Sequence, residues 1–225
     1  MKKVFLTLFL SLLLIFGFSQ SPCQPSTVTY GNKTYNTVQI GTQCWLKENL
    51  NIGTMIIGSK NQTKNYVIEK YCYNNLESNC NIYGGLYQWD EMMNYIKTQG
   101  SQGICPSGWH IPTSTEYQQL VNYLGGINVS GGKLKETGLS HWKSPNGSAT
   151  NLTNFTAVGS GLRWQNGLFY YLNTDFEFWL SSEPPYDPRN PLPPAYFGGS
   201  TYGGGWGLSG QFYKVQGLSV RCIKN

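Results

Sequence analysis

The chain has 225 residues, 40% hydrophobic, 15% aromatic and only 12% charged, with a formal net charge of +5. That apolar and aromatic content can bury a core, which excludes wholesale disorder, and the length suits one domain. The charged share is about half the usual one, so Tyr, Asn, Ser, Thr and Gly supply the polar surface, as in many exported proteins.

Lys2 and Lys3 precede an apolar run over residues 4–18, followed by small and polar residues. This is the pattern of a secretory signal peptide over residues 1–19, cleaved after Ser19, with a mature domain over 20–225. The run is too short for a comfortable membrane span, and Gln20, Ser21 and Pro22 before Cys23 do not make a lipobox. Removing Lys2 and Lys3 takes the charge from +5 to +3, too small and scattered for nucleic-acid binding. No second apolar segment predicts a membrane span. In an exported chain, Cys23, Cys44, Cys72, Cys80, Cys105 and Cys222 form a disulfide framework whose pairing spacing alone leaves open. No Cys-x-x-Cys pair or neighbouring histidine points to structural zinc.

Residues 27–40 predict a hairpin turning at Gly31-Asn32. Residues 44–50 form a compact segment without sustained period. Residues 51–83, rich in Asn, Lys and Tyr, predict surface loop, with a separation of Cys72 and Cys80 that suits a local bridge. Leu86, Trp89, Met93 and Ile96 recur at helical spacing and predict a helix within 84–98. Thr113-Ser-Thr-Glu116 is a capping box, and Tyr117, Leu120, Val121 and Leu124 continue it as an apolar stripe, predicting a second helix over 113–124 that stops at Gly125-Gly126. Short strands are expected at 155–158, 161–164, 169–172, 176–181, 212–215 and 218–223. Residues 184–210 hold six prolines, many glycines and several aromatics, and predict a long functional or disordered loop. Helices segregated from an antiparallel sheet make the chain α+β.

Several phrases also occur in this order in one family. They are Val38-Gln-Ile-Gly-Thr-Gln-Cys-Trp-Leu-Lys-Glu-Asn-Leu50, Tyr83-Gly-Gly-Leu-Tyr-Gln-Trp89, Cys105-Pro-Ser-Gly-Trp-His-Ile-Pro-Thr113, Gly132-Lys-Leu-Lys135, Phe178-Trp-Leu-Ser-Ser182 and Gly217-Leu-Ser-Val-Arg-Cys222. Over residues 26–225 the chain resembles the Fibrobacter succinogenes major paralogous domain family of exported bacterial domains. The resemblance implies a C-type-lectin-like fold related to sulfatase-modifying-factor domains, with two helices, a small antiparallel sheet, long irregular loops and paired first and last strands. It also implies a bridge from Cys105 to Cys222, leaving Cys72 with Cys80 and Cys23 with Cys44.

Catalytic chemistry has little to build on. His110 reads as a packed imidazole bonded to backbone, His141 as a surface polar residue, and no Gly-x-Ser-x-Gly elbow is present. Formylglycine-type oxidation needs a reactive cysteine pair near the C-terminus, where only Cys222 lies. Lectin-type calcium binding lacks its usual motifs, and Glu183 and Asp187 are too few for six to eight oxygen ligands. No metal or cofactor is expected. Trp45, Trp89, Trp109 and Trp179 are expected in the core. The reading that remains is a non-catalytic binding module that recognises a glycan or cell-surface protein through Tyr186, Asp187, Arg189, Tyr202 and Trp206. Such a module exposes the aromatics of the 184–210 loop. An enzyme, the competing reading, has a pocket at His110 or His141 with a carboxylate in reach. A structural subunit of a surface assembly has a free strand edge or an apolar patch.

Overall fold

The computed structural model describes residues 23–185 and 187–225, so the expected signal peptide and Tyr186 lie outside the described residues. The predicted hairpin forms from β1 (Thr27–Tyr30) and β2 (Lys33–Ile40), turning at Gly31 and Asn32 with positive φ. It continues into β3 (Gln43–Leu46), the segment that lacked a sustained period. Two short strands, β6 (Trp109–His110) and β12 (Ile223–Lys224), complete a sheet ordered β1-β2-β3-β12-β6. The last strand therefore pairs with β3 and β6, not with the first strand as expected.

Residues 51–83 are more structured than their polar composition predicts. They hold the parallel pair β4 (Thr54–Met55) and β5 (Glu69–Lys70) and the helix α1 (Glu77–Tyr83), which the Cys72–Cys80 bridge pins at its start. The helix expected within 84–98 shrinks to α2 (Trp89–Met92). Tertiary pairing overrides the helical period: Leu86 bridges Tyr71, Tyr87 bridges Leu218, and Asn94 and Tyr95 adopt positive φ. Leu86, Trp89 and Met93 are still buried, whereas Ile96 is exposed.

The capping box forms as expected on α3 (Ser114–Tyr123): Thr113 accepts from the Glu116 amide, and the Glu116 carboxylate accepts from the Thr113 N–H at 2.8 Å. A further helix, α4 (Ile127–Leu134), forms where no helix was expected, although Gly131-Gly132 is poor helix sequence. Close approach explains the glycine. A Cβ on Gly131 would lie 2.1 Å from the Trp206 carbonyl oxygen.

The excursion at 184–210, expected as loop, largely forms a hairpin of β10 (Pro194–Thr201) and β11 (Gly207–Tyr213). β10 is the centre of a three-stranded sheet with β9 (Asp175–Trp179) on its other side. Its glycines are strand glycines that admit neighbours, as Gly198 admits the Tyr117 ring. β7 (Ser160–Arg163) and β8 (Phe169–Leu172) form a second hairpin where strands were expected. Residues 155–158 make only a single bridge, Lys135 to Ala157, and residues 217–222 only single bridges such as Leu218 to Tyr87.

The result mixes helices with antiparallel sheets, and the alternation of β9 divides two cores. Phe176 and Phe178 join Trp45, Tyr117, Phe155 and Trp142 in one core; Trp179 joins Trp89, Leu46 and Leu50 in the other. All four tryptophans expected in the core are buried. The disulfides are Cys23–Cys44, Cys72–Cys80 and Cys105–Cys222, as the resemblance implied. The last closes 117 residues, worth about 4 to 5 kcal/mol in the chain-entropy account.

Three buried cations also staple the loops. The Lys135 ammonium donates to the carbonyls of Gly147, Thr201 and Gly204 at 2.7 to 2.9 Å. Arg163 donates to Gly58 and Val215 and stacks on Tyr71. Arg221 donates to Leu46 and Phe155. Irregular backbone leaves carbonyls without ladder partners, and these cations satisfy them.

Candidate functional site

The structure does not bring the expected binding residues together. Asp187 and Arg189 sit on the exposed segment before β10, paired to each other at 2.9 Å. Tyr202 and Trp206 lie in the β10–β11 turn. The eight residues of β10, roughly 25 Å of extended chain, lie between the two groups. Tyr202 is partly buried with the Lys143 ammonium 5.7 Å from its ring, while Trp206 is half exposed. Phe197 is buried and Tyr196 partly so, against the cores.

A run of neighbouring aromatic rings lies elsewhere. Tyr171 and Tyr170 from β8, Trp164 just after β7, and Phe212 from β11 follow one another with ring centroids 6.1, 6.5 and 5.9 Å apart. Phe197 continues the ribbon inward, 4.5 Å from Phe212. Tyr171 is 51% and Tyr170 37% exposed, and Trp164 and Phe212 are partly buried. Consecutive strand residues normally point to opposite faces. Tyr171 escapes that rule through a φ of 65°, and both tyrosines reach solvent. A non-glycine residue held in that region stores strain that the surrounding structure must hold in place.

The sequence reading did not single out these rings as a site. The Phe169-Tyr-Tyr-Leu172 run predicts one tyrosine in and one out, and nothing local announces the left-handed residue. Chemically, the ribbon offers apolar faces for stacking, and two tyrosine hydroxyls at its rim. One hydroxyl is fixed by the Asn166 amide at 3.3 Å. Adjacent rings cross at 80 to 83° around Trp164, so the surface is corrugated rather than planar.

The histidines are both paired with carboxylates. His110 meets Glu116 at 2.9 Å and Asn225 at 2.7 Å, side chains rather than the expected backbone. The Glu116 hydrogen bond raises its pKa above the usual imidazole value, against the opposing effect of burial. His141 is partly buried, 2.8 Å from Glu136, with its ring edge-on to Tyr83. Glu116 already caps α3, so the first pair braces a helix start. Glu183 is held by Lys214 at 2.6 Å and Asp187 by Arg189, so each of these carboxylates already has a cation. Among the described residues no three metal-ligating side chains cluster.

Under the ribbon's sheet, Glu177 is buried with its Oε2 unpartnered among the described residues. Burial, aided by nearby Asp175, pushes its carboxyl up to about 8, so it is protonated at neutral pH. β11 carries one edge of that sheet, since among the described residues its one strand partner is β10. No helix among the described residues is long and apolar enough to cross a membrane. The three disulfides fit an extracellular protein.

No curated protein and no solved structure matches the chain. The Fibrobacter succinogenes major domain matches residues 38–224, from within β2 to the end of β12, and the chain belongs to that family.

Proposed function

We propose that this protein is an exported, non-catalytic binding module of C-type-lectin-like fold, released by signal-peptide cleavage, that holds a glycan on the Tyr171–Tyr170–Trp164–Phe212 ribbon. The observation that carries this reading is the pair of neighbouring tyrosines, both turned to solvent by the left-handed backbone of Tyr171. An ordinary strand would turn them to opposite faces. Sugar rings present apolar faces that stack on aromatic rings, with hydroxyls left for tyrosine oxygens. The site thus lies beside the 184–210 excursion, at Phe212 of β11, rather than at Tyr202 and Trp206 within it. Crossed rings suit a single twisted chain better than the flat face of a crystalline polymer.

Affinity electrophoresis through soluble polysaccharides tests this. Wild type is retarded by at least one neutral glycan, and Trp164→Ala/Tyr171→Ala loses about tenfold or more in affinity, the scale of one or two stacked rings. Tyr202→Ala/Trp206→Ala leaves retardation unchanged. Loss in the second variant but not the first would return the site to the β10–β11 turn. A cell-surface protein partner on the same ribbon is the second reading, favoured by the sheet edge that β11 carries beside it.

A further inference from the structure

A cleft of about 280 Å³ opens between β2, residues 47–51 and α1, with Arg221 at its floor. The Cys72–Cys80 bridge holds one wall through α1. Arg221 is fully buried and has no carboxylate in contact. Its Nε donates to Asn49 at 2.6 Å, and its Nη1 to the carbonyls of Leu46 and Phe155 at 3.0 Å and of Lys47. Its Nη2 meets only the Thr156 carbonyl, at 3.5 Å, and Thr156 lines the cleft. A guanidinium carries two N–H groups on each Nη. One donor of the buried cation is therefore left over, and Arg221 itself lines the cleft.

The mouth adds to the same charge. Lys33 and Lys47 line it, and Lys47 forms no ion pair among the described residues. Lys33 reaches Asn81 at 3.0 Å. Its pKa is pulled down by burial and by the nearby Lys70 ammonium, against Glu77. The carboxylate that lines the cleft, Glu48, has both oxygens occupied by Asn36, at 2.7 and 2.8 Å. Three cations against one carboxylate, Glu48, which also acts on Arg221, leave a concave, partly desolvated site with a net positive charge.

We infer that this cleft binds a small carboxylate-bearing ligand of monosaccharide size, a hexuronate in class. Its carboxylate faces Arg221 Nη2 and the Lys47 ammonium, and its body lies against Ile82, Tyr83 and Val158. One guanidinium donor and one flexible ammonium match a single negative charge. A dianion such as phosphate would need more donors to offset its desolvation. The site shares no residue with the aromatic ribbon, and the two stand or fall separately.

The test is a titration of the whole mature protein with galacturonate, followed by the amide chemical shifts of Ile82, Tyr83 and Thr156. Methyl galactoside and inorganic phosphate serve as comparisons. Galacturonate should saturate these shifts and weaken as salt is added, and methyl galactoside should not move them. Lys33→Ala/Lys47→Ala should bind galacturonate about tenfold more weakly at unchanged melting temperature. Three results overturn the inference: no saturable shift with galacturonate, phosphate binding as tight as galacturonate, or undiminished affinity in the double variant. None of them bears on retardation by neutral glycans.

Discussion

The β10–β11 hairpin is held in opposite ways at its two ends. At the Thr201–Gly207 turn, Lys135 gathers the carbonyls of Thr201 and Gly204 with that of Gly147, and the Trp206 carbonyl lies against Gly131 of α4 at a distance no side chain tolerates. At the other end, residues 184–193 are proline-rich, the described ones among them are mostly exposed, and their ion pair, Asp187–Arg189, is local and solvent-facing. Both stretches read as parts of one long loop in the sequence. The difference is whether a buried group reaches in, and it teaches that the Gly-rich turn is framework while the Pro-rich segment is free to vary.

The largest break in that contrast should come from Lys135→Met. The substitution keeps the stem and removes the ammonium, stranding three carbonyls. A loss of about 3 kcal/mol is expected in denaturant unfolding. A change under about 0.5 kcal/mol would mean the turn is held by packing alone.

Between the two ends, Glu177→Gln probes the sheet itself. The folded carboxyl titrates near 8 against an unfolded value of 4.5, so the folded state keeps a proton that the unfolded chain releases. Stability contributed by this group is complete below about 4.5 and falls as pH rises toward 8. The glutamine variant should show a shallower decline of melting temperature over that window. At pH 8 it should be more stable than wild type by about 1 to 3 kcal/mol. Parallel pH curves would show that solvent or a partner already reaches the carboxylate.

The smallest effect sharpens the comparison from its other side. Asp187→Ala/Arg189→Ala should leave the melting temperature unchanged. Limited proteolysis should nick 184–193 well before 202–206 in both proteins. Early cleavage in the glycine-rich turn would reverse the assignment of framework and variable end.

Some of this was legible before any coordinates. The capping box at Thr113 and Glu116, the turn at Gly31-Asn32 and the burial of four tryptophans follow from local rules that act within a few residues. The disulfide pairing came through the family resemblance rather than from spacing. The aromatic ribbon was not legible, because its rings come from β8, the end of β7 and β11, and its exposure depends on one backbone angle at Tyr171. The Arg221 cleft was hidden for the same reason: its walls are drawn from residues 33 to 221.

The sequence by itself determined where the chain turns, where α3 begins and which large rings leave water, because those outcomes rest on hydrogen bonds and apolar patterns between near neighbours. Tertiary structure alone decided that Gly198 sits in a strand under Tyr117, that 84–98 yields only one turn of helix, and that buried cations meet loop carbonyls. Those outcomes depend on which distant backbone arrives beside a residue, and composition carries no record of the arrival.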